Sequence, residues 1–228
     1  MKTIVVIGGS KGIGQAVVKE QLAHNNVVSI SRTLNSLEHP NFTQYVCNIL
    51  TDELPVLPNV DALVYCPGSI NLKPFKRMSV NDFTDDYEIN VLGAVKAVQN
   101  YLPQLSESSK QPSIVLFSSV AVKMGMPFHT SISAAKGALE GFAKSLAAEL
   151  VPSIRVNCIA PTLTDTDLSS RILRNDKLKL LHAERHPLKK YVEPEEVAEM
   201  VGFLMSDKAM SFSGQIFEMD CGLINLKV

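Results

Sequence analysis

After the apolar run Thr3–Ile7 comes Gly8-Gly9-Ser10-Lys11-Gly12-Ile13-Gly14, and a stretch of helical period follows. Glycine serves such a turn where φ is positive and where backbone must approach a phosphate without a Cβ in the way. The N–H groups and positive dipole end of the next helix then face the anion. A strand–turn–helix of this kind predicts a pyrophosphate cradle made by Gly8, Ser10, Lys11, Gly12, Ile13 and Gly14, although a tight structural turn uses similar residues. The second apolar run ends in Ser31-Arg32-Thr33. A carboxylate there would accept from an adenosine ribose and repel a 2′-phosphate. Hydroxyls beside Arg32, with Lys11 in the glycine turn, suit that phosphate instead. His182 and His186 flank Glu184 at a spacing that suits one helix face, but no third ligand is evident and no metal site is expected.

The segments that must position these groups alternate in type. Strands are expected over Thr3–Ile7, Val27–Ser31, Thr43–Val46, Ala62–Tyr65, Ile114–Ser118, Arg155–Ile159 and Gln215–Met219. They are apolar almost throughout, as parallel strands covered on both faces are. Helices are expected near 12–24, 79–102, 131–150 and 194–206, the third carrying the stripe Ala135, Leu139, Phe142, Leu146 and Leu150. This pattern predicts an α/β fold: one doubly wound parallel sheet of Rossmann type, three layers deep, in a single domain over 1–228. Residues 163–190 are polar and irregular and follow the sixth strand, where an open α/β sheet places its ligand crevice. They read as a lid over that crevice or as a surface helix pair.

Bulk properties exclude several classes. A net charge of −1 over 228 residues gives no field for nucleic acid or an anionic membrane. No stretch approaches the ~20 apolar residues of a membrane span, and the opening residues are too short for a signal peptide. Cys47, Cys66, Cys158 and Cys221 form no CxxC pair and read as small hydrophobes rather than bridges. A cytoplasmic chain is expected.

The spacing Gly8-x3-Gly12-x-Gly14 differs from GxGxxG and resembles the GxxxGxG of short-chain dehydrogenases/reductases. The resemblance continues along the chain. Arg155-Val156-Asn157-Cys158-Ile159-Ala160-Pro161 is similar to that family's RVNxIxP strand, and Pro187-Leu188 through Glu193-Pro194-Glu195-Glu196-Val197-Ala198 to its PL…PEEVA segment. Ser213-Gly214-Gln215 to Asp220-Cys221-Gly222 is similar to its TGQ…DGG strand. The matches run from residue 3 to residue 222, nearest to the 3-oxoacyl-carrier-protein reductase branch. The resemblance implies NADP(H)-dependent carbonyl reduction, or alcohol oxidation, of a small molecule. It places Asn48 and Ile49 at the adenine, Gly68 near the nicotinamide, and Pro161, Thr162 and Thr166 along the cofactor. It also implies a homodimer or homotetramer, whose close helix contact the small residues Ala134, Ala138, Gly141, Ser145 and Ala148 would permit.

In that family a tyrosine protonates the carbonyl oxygen, a lysine four residues later bonds the ribose, a serine holds the oxygen and an asparagine positions a relay water. By motif these are Ser119, Lys136 and Asn90, but the tyrosine position is Ile132, which can carry no proton. Tyr65-Cys66-Pro67-Gly68 stands where the family has NNAG, and Thr162 stands where it has a glycine. Three readings follow. His129, seven residues before Lys136, could supply the proton as in the enoyl reductase branch. Ser119, Lys136 and Asn90 could support a slower reduction through water. Alternatively, the chain binds the nucleotide without turnover, as a sensor or scaffold. Thr130 and Ser131 carry hydroxyls that are poor acids unless activated.

Overall fold

Seven parallel strands form one sheet: β1 (Thr3–Ile7), β2 (Asn26–Ser31), β3 (Phe42–Val46), β4 (Ala62–Tyr65), β5 (Ser113–Phe117), β6 (Arg155–Pro161) and β7 (Ile216–Met219). Their order is β3-β2-β1-β4-β5-β6-β7. The structure, a computed structural model, describes residues 1–170 and 172–227. Side chains alternate across the sheet with period two. Val5, Ile7, Leu63, Tyr65, Ile114 and Leu116 enter one apolar cluster, under α3 (Gly93–Glu107) and α4 (Thr130–Leu150). Ile4, Val6, Ala62, Val64 and Val115 enter the other, under α1 (Gly12–Gln21) and α6 (Pro194–Met205). Three layers result. The chain reverses its direction of winding between β1 and β4, and a crevice opens where those two strands end.

Each expected strand is present, with ends displaced by a residue or two. The segment expected as one helix near 79–102 is not continuous. It comprises α2 (Val80–Tyr87), a π turn (Glu88–Leu92) and α3. At that turn the Gly93 N–H bonds the Glu88 carbonyl, one residue further back than in an α-helix. The Ile89 carbonyl released by this shift accepts from Tyr65 Oη at 2.6 Å. A Cβ on Gly93 would stand 2.1 Å from that oxygen, so the phenol and the glycine require each other. Such π turns gather at functional sites because they re-aim a side chain. This one carries Asn90.

Helix α4 is turned from the expected stripe. Ile132, Ala135, Lys136, Leu139, Glu140, Ala143 and Ala147 are buried, while Phe142, Leu146 and Leu150 pack at the margin of the first cluster. Two charged groups therefore point inward. Among the described residues of 163–190 there are a short 3-10 turn (Asp167–Ser169) and one helix, α5 (Asp176–Glu184); Arg171 lies outside the described residues.

Candidate active site

The glycine turn closes as its composition requires. Gly8 and Gly12 take φ of +80° and +53°, in the left-handed region that favours glycine. Gly14 packs so tightly that a Cβ there would lie 2.2 Å from the Gly8 carbonyl oxygen. The first turns of α2, α5 and α6 are closed by the side chains of Ser79, Asn175 and Glu193, but α1 has no side-chain cap and no acidic residue in its first turn. Those orphan N–H groups suit an anion. The cradle therefore fits a pyrophosphate beside Ser10, Ile13 and Gly12.

The end of β2 meets this turn. Ser10 Oγ and Thr33 Oγ1 lie 3.1 Å apart, Ser31 is buried, and Arg32 is exposed. Lys11 leans the other way, its ammonium 3.8 Å from Asp167 in the segment 163–190. Two residues without a motif also shape the region. Buried Asn35 bonds the Gly9 carbonyl with its NH2, and its backbone is clasped by Gln44. Asn48 uses Oδ1 to accept from the Leu50 N–H, so its NH2 is what it can offer a base edge, and Ile49 beside it is buried.

Past β4, β5 and β6 the catalytic candidates gather. A Cβ on Gly68 would stand 3.4 Å from Asn90 Oδ1 and 3.6 Å from Lys136 Nζ, so both polar atoms face one small space beside that glycine. Lys136 is buried and donates to the Phe117 carbonyl at 2.7 Å. Burial pulls its ammonium down to about 8, against the opposing influence of Cys158, Cys66 and Asp86. Asn90 Oδ1 is buried with no hydrogen-bond partner among the described residues. Ser119, two residues beyond Phe117, accepts from the Ala121 N–H, which leaves its hydroxyl hydrogen to donate elsewhere. His129 is not brought into this group by any bond: its Nδ1 faces the Pro127 carbonyl at 2.7 Å. Ser131 spends its hydroxyl hydrogen on Asp86 at 2.5 Å.

The segment 163–190 is fastened to the same strand ends. Thr166 packs its methyl over Gly12, which a Cβ there would meet at 3.2 Å. Thr162, following Pro161, holds its Oγ1 2.9 Å from His186 Nε2, while His186 Nδ1 faces the His182 carbonyl at 2.8 Å. A carbonyl can only accept, so Nδ1 donates to it. His186 is thus a buried strut of this segment.

A parallel sheet opening at its switch point onto an uncapped glycine turn is a Rossmann-type α/β fold. Known proteins agree in detail. The family described as enoyl-(acyl carrier protein) reductase matches residues 46–224. Carbonyl reductase (NADPH) 2 of Sus scrofa is 30% identical over 96% of this chain and 95% of its own length. The 3-oxoacyl-(acyl-carrier-protein) reductase of Aquifex aeolicus is 28% identical over 97% of each. A short chain dehydrogenase family protein of Francisella tularensis superposes with a TM-score of 0.85 at 26% identity, covering 98% of both chains. The chain belongs to the short-chain dehydrogenase/reductase family of oxidoreductases. Among the described residues no helix is long and apolar enough to cross a membrane.

Proposed function

We propose that this chain is an NADP(H)-dependent carbonyl reductase that works without a tyrosine acid, through Ser119, Lys136 and Asn90. The observation that carries this reading is the convergence of Asn90 Oδ1 and Lys136 Nζ on the space beside Gly68. A buried acceptor without a partner and a buried ammonium are costly to keep unless a ligand completes them. The dinucleotide fits the residues present: the uncapped turn Gly8–Gly14 would take its pyrophosphate, Lys136 a ribose hydroxyl, and Asn48 with Ile49 the adenine. When bound, the nicotinamide supplies hydride.

The protein's own groups do the rest. Ser119 Oγ, its lone pair engaged by Ala121, donates to the substrate oxygen. Lys136 Nζ, titrating near 8, holds a proton that can pass through water to the alkoxide as it forms. Arg32 and the paired hydroxyls of Ser10 and Thr33 favour the 2′-phosphate, and no carboxylate stands at the end of β2 to oppose it.

Titrating the protein with NADPH and with NADH, followed by a screen of carbonyl substrates, tests this reading. NADPH is expected to bind about tenfold or more tightly than NADH, the difference falling in Arg32→Ala. Ser119→Ala should lower turnover about 10²-fold, as loss of an oxyanion donor does. His129→Ala should leave the rate unchanged; a loss as large as that of Ser119→Ala would hand the proton to His129 instead. Binding with no NADPH consumption across the screen would overturn the reductase reading.

We also infer a homodimer or homotetramer that packs α4 against its copy. Ala134, Ala138, Gly141, Ser145 and Ala148 are all exposed along one side of that helix, and such small residues let backbones approach closely. Sedimentation should show an assembly that Gly141→Arg reduces to monomers. An assembly of unchanged mass in that variant would refute this arrangement.

A further inference from the structure

Beside the catalytic candidates lies a buried carboxylate that the mechanism above does not use. Asp86 is 2% exposed on α2, and both of its oxygens are engaged at 2.5 Å, Oδ1 by Ser69 Oγ and Oδ2 by Ser131 Oγ. Asn90, one turn later, donates its NH2 to the Asp86 backbone carbonyl at 2.7 Å and to Ser69 Oγ at 3.0 Å. The direction of each bond is determined by chemistry. A carbonyl can only accept, so the amide end facing Asp86 is the NH2 group. An ionised carboxylate can only accept, so Ser69 spends its hydrogen on Asp86 and offers a lone pair to Asn90. Both constraints leave Asn90 Oδ1 as the end that faces Gly68 and Lys136.

The charges around Lys136 give Asp86 a second effect. Its proton is favoured by Cys158 of β6, by Cys66 after β4 and, third of these, by Asp86 of α2. Glu140, one turn further along α4, is occupied by Ser118 at 2.6 Å. Burial pushes both thiols up to about 12, so they are neutral while Lys136 titrates. The carboxylate is then the anion among these three neighbours.

We propose that Asp86 is a positioning residue of this site: through Ser69 it holds Asn90 Oδ1 as the acceptor for a proton-carrying water beside Lys136, and it is the counter-charge of that ammonium. The proposal rests on the reading that Lys136 holds the ribose and carries the proton. It explains why a carboxylate and Ser131 are buried where α2 meets α4, beside the half-buried Ser69, where apolar side chains would pack more cheaply.

The test is the pH dependence of NADPH affinity, followed by fluorescence, beside the pH dependence of turnover. The whole chain is compared with Asp86→Asn, Asp86→Glu and Ser69→Ala. In the natural chain, affinity should break near pH 8 as Lys136 loses its proton. Removing the anion lets that proton leave more easily, so in Asp86→Asn the break should move down by about one pH unit. Turnover should fall at least tenfold, because an amide can accept from only one of the two serines that the carboxylate holds. Asp86→Glu should restore the break towards pH 8. Ser69→Ala keeps the carboxylate and should leave the break in place, while lowering kcat about tenfold with KM little changed. A break that stays at the same pH in Asp86→Asn, or that the natural chain does not show, overturns the proposal. Should Asp86→Asn not fold, an unchanged kcat in Ser69→Ala overturns it. If the natural chain binds NADPH and reduces nothing, the reductase reading fails by itself, and the pH break still decides the role of Asp86.

Discussion

Ile132→Tyr is expected to raise the rate of carbonyl reduction by about 10²–10⁴-fold, the usual worth of a positioned general acid. Position 132 opens α4 one turn before Lys136, and residues four apart share a helix face. Ile132 is 6% exposed yet belongs to neither of the two apolar clusters, so its side chain sits apart from the packed interior. A phenol there would stand beside a buried ammonium titrating near 8, whose charge favours the phenolate and so makes the phenol a stronger acid. The hydroxyl would give its proton to the substrate oxygen and recover one from Lys136 Nζ. The larger ring costs about 1–3 kcal/mol if the surroundings do not open towards the crevice, so the variant's melting temperature must be measured beside its rate. A folded variant that consumes NADPH no faster than the natural chain would show that more than an acid is missing. The fault would then lie in the loop Tyr65–Gly68 or in the fastening of Thr162 to His186.

The alternation of apolar strands with helical periods carried the whole sheet, because burial on two faces writes itself into the sequence as unbroken apolar runs. Val5 and Ile7 on one side, Ile4 and Val6 on the other, are legible without a structure. The glycine turn was legible for the same reason, since few residues tolerate φ of +53° at Gly12. The catalytic candidates Ser119, Lys136 and Asn90 came from motif spacing, and the structure brings Asn90 and Lys136 to one space beside Gly68. What left no periodic trace were bonds between polar groups far apart in the chain. The π turn depends on Tyr65, a residue of β4 standing where the family pattern has an asparagine, and nothing near Glu88–Leu92 announces it. Asp86 carried a signal that spacing alone could have raised, a carboxylate four residues before Asn90 on the same helix face, but its partners Ser69 and Ser131 lie 17 and 45 residues away. Lys11 was read as facing the 2′-phosphate, while the folded chain sets it against Asp167 of the segment 163–190. Exposed pairs of that kind contribute little, so bound phosphate can draw the lysine back.

Lys136→Met should abolish reduction and stabilise the protein at the same time. The ammonium's ordinary value of 10.5 falls to about 8 in the folded chain, so below pH 8 the native state carries a buried charge that the unfolded state keeps in water. That difference corresponds to about 3 kcal/mol of stability withheld at neutral pH. Methionine fills a similar volume without the charge; it leaves the Phe117 carbonyl without its donor, which returns about 1 kcal/mol of the gain. Without cofactor, the variant should therefore melt roughly 4–8 °C higher at pH 7. The sign of the pH dependence follows from the same values. Between about 8 and 10.5 the folded lysine has lost its proton while the unfolded one retains it, so the stability of the natural chain rises through that window relative to the variant's. Above 10.5 both states are neutral, and the natural chain should be the more stable by the about 1 kcal/mol of the bond to Phe117. Parallel thermal melts of the two proteins from pH 7 to 11 check this. A variant that melts lower at pH 7, or a difference that does not narrow with rising pH, would show that the Lys136 charge is accommodated by its neighbours. The cost of holding that proton would then be too small to count as the energy stored for its transfer.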